Sequence, residues 1–256
     1  MTTRHAKSWI GLAAALFCAA APVRADSPLL DLDAESRAAL HEEIRSYLLE
    51  NPEIMMEMYA LLEEQQRAAT AEADKGLVAR NATAIFDDGY SYEGGNPEGD
   101  LTIVEFLDYQ CGYCRKAHPE LAELLESDGE IRWIIKEFPI LGPNSELAAR
   151  AAISTQINAG EEAYLRLHNA MMEGRGQVTE QSLDALLRAN DLDPEEIRAG
   201  MDAPEVTERI NGNRALAETL QVSGTPTFVF EDELVRGYVP LEQMQALVEE
   251  KRAALD

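Results

Sequence analysis

Apolar positions change period several times along the chain. Leu40, Ile44, Tyr47 and Leu48 recur at helical spacing, with Asp33 where an N-cap belongs. Asn51-Pro52 stops that helix and starts another, Asn serving as N-cap and Pro as first helical residue. The second helix carries Ile54, Met55, Met58, Leu61 and Leu62, then a polar, Ala-rich stretch to Arg80. A strict heptad is not sustained, so no long coiled coil is expected. After a Gly-rich turn at Gly94-Gly95-Asn96-Pro97, the run Leu101–Leu107 has the composition of a buried strand, followed by a helix through Leu125. Ile131–Glu137 then repeats the strand pattern, and strand–helix–strand at this length predicts a βαβ unit with parallel strands. Residues 144 to about 220 predict helices at 144–159, 161–173, 179–190, 194–201 and about 204–220. A hairpin over Thr227–Phe230 and Glu233–Tyr238 and a closing helix from Leu241 to Leu255 complete the pattern.

The N-terminus assigns a compartment. Arg4 and Lys7 precede the apolar run Ile10–Ala21, and Val23-Arg24-Ala25 places small residues where a signal peptidase reads. The run is too short to span a bilayer comfortably, so residues 1–25 are expected to be a cleaved signal peptide and the protein periplasmic. Phe17 before Cys18 argues against lipoprotein processing. Cleavage after Ala25 removes Cys18 and three basic residues but no acid. The full chain's net charge of −25 then becomes −28, and the mature chain retains Cys111 and Cys114 alone. Such acidity excludes a nucleic-acid binder, because phosphate wants a basic patch. A hydrophobic fraction of 46% excludes a disordered acidic tail.

The strongest chemical signal is Cys111-Gly112-Tyr113-Cys114 at a strand-to-helix junction. Two thiols three residues apart can close and reopen a disulfide without any cofactor. Free N–H groups and the dipole at a helix start stabilise a thiolate, bringing such a thiol to roughly 3.5–7. A purely structural bridge is disfavoured, since so small a loop removes little unfolded-state entropy. A rival chemistry is copper or zinc binding by Cys111, Cys114 and His118, three soft ligands on one helical stretch, although His41 and His168 lie far off in sequence. Glu105 stands mid-strand with Ile103 and Leu107 on its face. Buried there, its carboxyl would titrate high and could move protons during thiol exchange. Lys136, in the second apolar strand, could pair with Glu105 or face solvent at an edge. Val222-Ser-Gly-Thr-Pro-Thr-Phe228 puts a proline just before a strand, where a cis turn would hold the Thr225 backbone beside the cysteines to meet an extended substrate.

This combination resembles the thioredoxin superfamily. The pattern C-x-x-C-[KR]-x-x-x-P runs from Cys111 through Arg115 to Pro119, which the resemblance makes the kink of the active-site helix, and Gly224–Phe228 resembles the cis-proline loop. The long helical stretch between the two motifs is similar to the insertion of the DsbA-like branch, and Glu105 matches that branch's buried glutamate. Gly-Tyr replaces the Pro-His of the typical oxidase, and threonine before the proline is more usual in isomerases and reductases. With Leu49-Glu-Asn-Pro-Glu53 in a helical extension, the mature chain most resembles ScsC-like members.

The resemblance implies an α/β thioredoxin fold over 85–256 with a helical insertion at about 144–205, preceded by a helical arm over 26–84. Two readings of the arm stay open: a hairpin packed on the main domain, or an oligomerisation element meeting copies of itself. The implied activity is protein disulfide isomerase or reductase, with a DsbA-type oxidase as the alternative. Cys111 would attack, Cys114 resolve, Thr225 and Pro226 hold substrate, and Glu105 and Lys136 tune proton transfer. Implied partners are unfolded or misoxidised exported proteins, a membrane redox partner and further copies of the chain.

Overall fold

The computed structural model describes residues 32–174 and 176–255. Residues 1–25, expected to be a signal peptide, and Cys18 among them lie outside the described residues. The chain divides into two units, Met1–Leu62 and Glu63–Asp256.

In the first unit, α1 (Ala34–Glu50) starts where Asp33 accepts the Ser36 N–H at 2.8 Å. It ends at Asn51, whose backbone N–H and side-chain Nδ2 both donate to the Tyr47 carbonyl. Asn51 thus closes the first helix as well as preceding the second. α2 (Glu53–Arg80) begins in this unit and runs on into the next. No residue of α1 is buried, and Ile44, Tyr47, Leu49, Met55, Met58, Leu61 and Leu62 are exposed.

The second unit is built on a five-stranded sheet. After α2 comes α3 (Ala82–Phe86), then β1 (Tyr92–Gly95), β2 (Leu101–Leu107), α4 (Gly112–Asp128) and β3 (Ile131–Glu137). A helical insertion follows: α5 (Pro143–Ala159), α6 (Glu161–Glu173), α7 (Glu180–Ala189), α8 (Pro194–Met201) and α9 (Pro204–Thr219). β4 (Thr227–Phe230), β5 (Glu233–Arg236) and α10 (Leu241–Leu255) complete the chain. Strand order is β1-β3-β2-β4-β5. β2 and β3 are parallel with α4 as crossover, and the other pairs are antiparallel.

Alternation gives the sheet two buried faces. Leu101, Ile103 and Leu107 of β2, Ile131, Trp133 and Ile135 of β3, and Phe228 and Phe230 of β4 meet α4, α10 and the insertion. Val104, Phe106, Ile134 and Val229 meet Val78 of α2, Ile85 of α3, Leu216 of α9 and Leu220 just after it. The second half of α2 is therefore part of the sheet's packing. Asp74 adds two hydrogen bonds from Arg236, at 2.6 and 2.9 Å. Val78→Ala is expected to cost about 1–2 kcal/mol through lost burial, read as a lowered urea midpoint with unchanged slope.

β1 and α3 depart from the pattern expected of the sequence. Gly94-Gly95 form the end of β1 rather than a turn, paired with Trp133 and Arg132. Gly95 has φ +65°, and a Cβ there would run into the Ile131 carbonyl, so glycine lets this edge strand approach β3.

Candidate active site

Cys111 is the N-cap residue of α4 and Cys114 lies in its first turn. The turn leading into it is set by Asp108, a buried residue absent from the sequence expectation. Its carbonyl accepts the Cys111 N–H at 3.0 Å. Its Oδ1 accepts the Gln110 N–H, and its Oδ2 accepts the N–H groups of Ile140 (2.8 Å) and Leu141 (3.0 Å). An Asp at a strand end just before a turn, bonding the backbone two residues on, is the signal that could have found it. Pro119 lies inside α4, where it removes one helical N–H. Arg115 ties the helix to its surroundings, donating to the carbonyls of Tyr109 (2.9 Å) and Gly174 (2.8 Å).

The Thr225-Pro226 peptide bond is cis, and the Cys111 thiol donates to the Thr225 carbonyl at 3.1 Å. Sequence positions 114 residues apart are thereby brought together. Cys111 is 7% exposed and Cys114 fully buried; both are free thiols. Their acidities are split by position. The Cys114 thiol and the Thr225 side chain, as donors toward the Cys111 sulfur, together with the N–H groups of Cys114 and Tyr113, outweigh burial and pull Cys111 down to about 5. Burial first, then the hydrogen bond to Cys111 and the charge of Glu105, pushes Cys114 far above the ordinary thiol range. One thiol is poised as a nucleophile at neutral pH while the other holds its proton. Around them Tyr113, Ile140 and Leu141 are exposed apolar side chains, and the Tyr113 ring lies 6.2 Å from that of Tyr238.

Glu105 is 1% exposed, on the sheet face that meets α4. Burial pushes its carboxyl up to about 8, with the charges of Glu137 and Cys111 adding to the effect. The Trp133 indole offsets part of this but falls short of a formed hydrogen bond, and Glu105 Oε1 has no partner among the described residues.

Lys136 does not join it. Register pairs Glu105 with Ile135 and Phe106 with Lys136, so the lysine projects from the opposite face. There it is fully buried, donating to Asp88 at 2.6 Å and to the Ala84 carbonyl at 2.9 Å. Neither the pairing with Glu105 nor an exposed edge position is present, because adjacent strand residues point to opposite sides. Lys136 is a structural ion pair on the α3 side.

His118 is buried, packed edge-on against His168 with ring centroids 5.2 Å apart. Its Nε2 is 3.8 Å from Glu173, and burial lowers its pKa. The described residues contain no group of three or more His, Cys, Asp or Glu placed to hold a metal ion, and Cys111, Cys114 and His118 do not form one.

A family model described as the DSBA-like thioredoxin domain matches residues 102–249, spanning both the cysteine pair and the cis-proline loop. The chain belongs to the DsbA-like thioredoxin family. Its fold and its membership of a group of thiol–disulfide oxidoreductases follow from that match. A second model, described as the copper resistance protein ScsC N-terminal domain, matches residues 37–69 and places the chain in the ScsC-like branch. A thioredoxin-like oxidoreductase from Silicibacter pomeroyi DSS-3 is 42% identical, covering 67% of this chain and 97% of that one, at TM-score 0.63. A Proteus mirabilis ScsC variant with a linker deletion is 25% identical, covering 88% and 98%, at TM-score 0.66. Among curated proteins, the Na(+)/H(+) antiporter NhaA 1 of Salinispora arenicola (strain CNS-205) is 29% identical over 161 residues, or 60% of this chain. The chain spans only about a quarter (24%) of that relative's length. No helix of the described residues is long and apolar enough to cross a membrane.

Proposed function

We propose that this protein is exported to the periplasm and rearranges or reduces disulfides in unfolded or misoxidised exported proteins through Cys111 and Cys114. The observation that carries this reading is the pairing of a low-pKa Cys111 thiol with the Thr225 carbonyl beside cis-Pro226, above a buried Cys114. An extended substrate strand would lie along Thr225 and Pro226 with its disulfide at Cys111. The Cys111 thiolate attacks one substrate sulfur, forming a mixed disulfide and releasing the other as a thiolate. In isomerisation that thiolate attacks elsewhere in the substrate, and a second substrate thiolate displaces Cys111, leaving the protein reduced. In reduction the Cys114 thiol gives its proton to Glu105 in the fraction where that carboxyl is ionised, attacks Cys111 Sγ and expels the substrate thiolate. The resulting Cys111–Cys114 disulfide is reduced again by a dithiol of a membrane redox partner.

The isomerase reading is supported by the match of residues 37–69 to the ScsC N-terminal domain and by the exposed apolar side chains from Ile44 to Leu62. These suit a surface that meets further copies of the chain and assembles several cysteine pairs. A second reading, dithiol oxidase, is favoured by the acidity of Cys111, since a stabilised thiolate makes the disulfide more oxidising.

The test compares reactivation of a scrambled-disulfide substrate by the chain from Asp26 and by a truncation from Glu63, which retains Val78 and Ile85. Reactivation by the longer chain alone, with both reducing insulin, is expected. Equal reactivation would remove the role of the arm, and oxidation without any reactivation would establish the oxidase.

A further inference from the structure

A second buried acid lies on the same sheet face as Glu105. Glu137, two residues beyond the position that pairs with Glu105, is 4% exposed. Its Oε1 accepts hydrogen bonds from the Tyr109 and Tyr164 hydroxyls, both at 2.7 Å. Tyr109 in turn stands 3.1 Å from His168 Nδ1, and burial holds that imidazole neutral. Glu137 Oε2, Glu105 Oε1, His168 Nε2 and Trp133 Nε1 are buried without partners among the described residues. The two carboxyls therefore differ in support: Glu137 has two hydroxyl donors, whereas Glu105 has no formed hydrogen bond at Oε1.

Two further charges stand on the Glu137 side: the Asp108 carboxylate, which opposes its ionisation, and Arg209 of α9, which lines a small cavity with Glu137, Tyr164 and Tyr92 of β1. β2 contributes Glu105, and the segment after it Asp108 and Tyr109. α4 contributes Cys111, Cys114 and His118; β3 contributes Trp133; α6 contributes Tyr164 and His168. Asn213 of α9 donates to the Glu137 backbone carbonyl at 3.0 Å. α5 brings Ser145 and buried alanines, β4 Phe228, and α10 Met244 and Val248. Lys136 is on the other face. Two carboxyls in one apolar interior resist ionising together, and the better-hydrogen-bonded one takes the first charge.

We propose that Glu137, held by Tyr109 and Tyr164, is a positioning residue that takes the first negative charge of this pair and so keeps Glu105 protonated for Cys114. This rests on Glu105 being the proton-transfer group of the proposed reaction. When a substrate thiolate attacks Cys111 Sγ of the internal disulfide, the S–S bond breaks and its electron pair leaves on Cys114. That thiolate takes the Glu105 proton, and the carboxylate reclaims it in reverse. The charge of Glu137 adds to burial in holding Glu105 high.

The experiment follows the Glu105 carboxyl by carbon NMR through a pH titration of the reduced protein, its signal assigned by loss in Glu105→Gln. Glu137→Gln keeps the acceptor for both tyrosines and removes the charge. It is expected to lower the Glu105 midpoint by about one pH unit or more, without moving the ultraviolet thiolate titration of Cys111. Tyr164→Phe, which leaves Glu137 harder to ionise, is expected to move Glu105 in the same direction by less. It carries the test if Glu137→Gln does not fold. An unmoved Glu105 midpoint in the folded variants overturns the proposal. The underlying reading is tested separately: if Glu105→Gln leaves the pH profile of mixed-disulfide resolution unchanged, Glu105 is not the proton-transfer group. If that profile responds while Glu137→Gln leaves the midpoint in place, only the coupling fails.

Discussion

Cys111→Ala is expected to reduce insulin-disulfide reduction roughly a thousandfold or more, to the background of free thiol exchange. With its thiol near 5, Cys111 is almost wholly thiolate at neutral pH. Cys114 cannot substitute: it is fully buried and its thiol is held far above the ordinary range, so the thiolate population that could attack is negligible. Cys114→Ser should behave differently. Attack by Cys111 is preserved, and what is lost is the nucleophile that clears the mixed disulfide, so covalent enzyme–substrate adducts should accumulate on non-reducing gels. A Cys111→Ala protein working at the wild-type rate would place the chemistry elsewhere. Adducts accumulating in Cys111→Ala instead of Cys114→Ser would exchange the roles of the two thiols.

The parts of the site legible in the sequence are those that local chain geometry specifies. A cysteine pair at a strand-to-helix junction fixes its own placement, as does a proline just before a strand, and Glu105 needed only the parity of its own strand. Lys136 needed something more: the register between two strands. A displacement of one residue turns a side chain to the opposite face, and Glu137, not Lys136, shares the face of Glu105. The cluster behind Glu105 was illegible for a related reason. Glu137 and His168 lie 28 and 59 positions beyond Tyr109, and no local pattern announces that α6 returns over the end of β3. His168 looked remote from His118 along the chain, yet the two rings touch. β1 was concealed by its own glycines, which signal a turn until a neighbouring strand is known to need the close approach. Five insertion helices, by contrast, announced their boundaries. Thr179 caps α7 with Ser182, and Asp193 caps α8 ahead of Pro194, so side chains adjacent in sequence decide where these two begin.

The reduced protein should gain stability from Cys111 as pH rises, and the size of that gain measures how strongly the fold prefers the thiolate. A thiol whose folded pKa lies below its unfolded value stabilises the fold fully above the unfolded value. The contribution is lost as pH falls through the folded one. For Cys111 the window runs from 9.0 down to about 5. At ~1.4 kcal/mol per pH unit, the whole span amounts to at most about 5 kcal/mol, less whatever solvent screens at the helix start. Glu105 and Glu137 act oppositely. Each is raised from 4.5 to about 8, so burying it stabilises the fold below 4.5 and loses that stabilisation as pH rises through 8. Total stability therefore hides the cysteine, and the informative quantity is the difference between reduced wild type and Cys111→Ser, in which both acids persist. Measured by urea unfolding under a strong reductant, that difference should widen steadily from pH 5 to 9, with a slope approaching 1.4 kcal/mol per unit. A flat difference would mean that Thr225, Cys114 and the helix N–H groups do not favour the thiolate. The nucleophilicity proposed for Cys111 would then need another source.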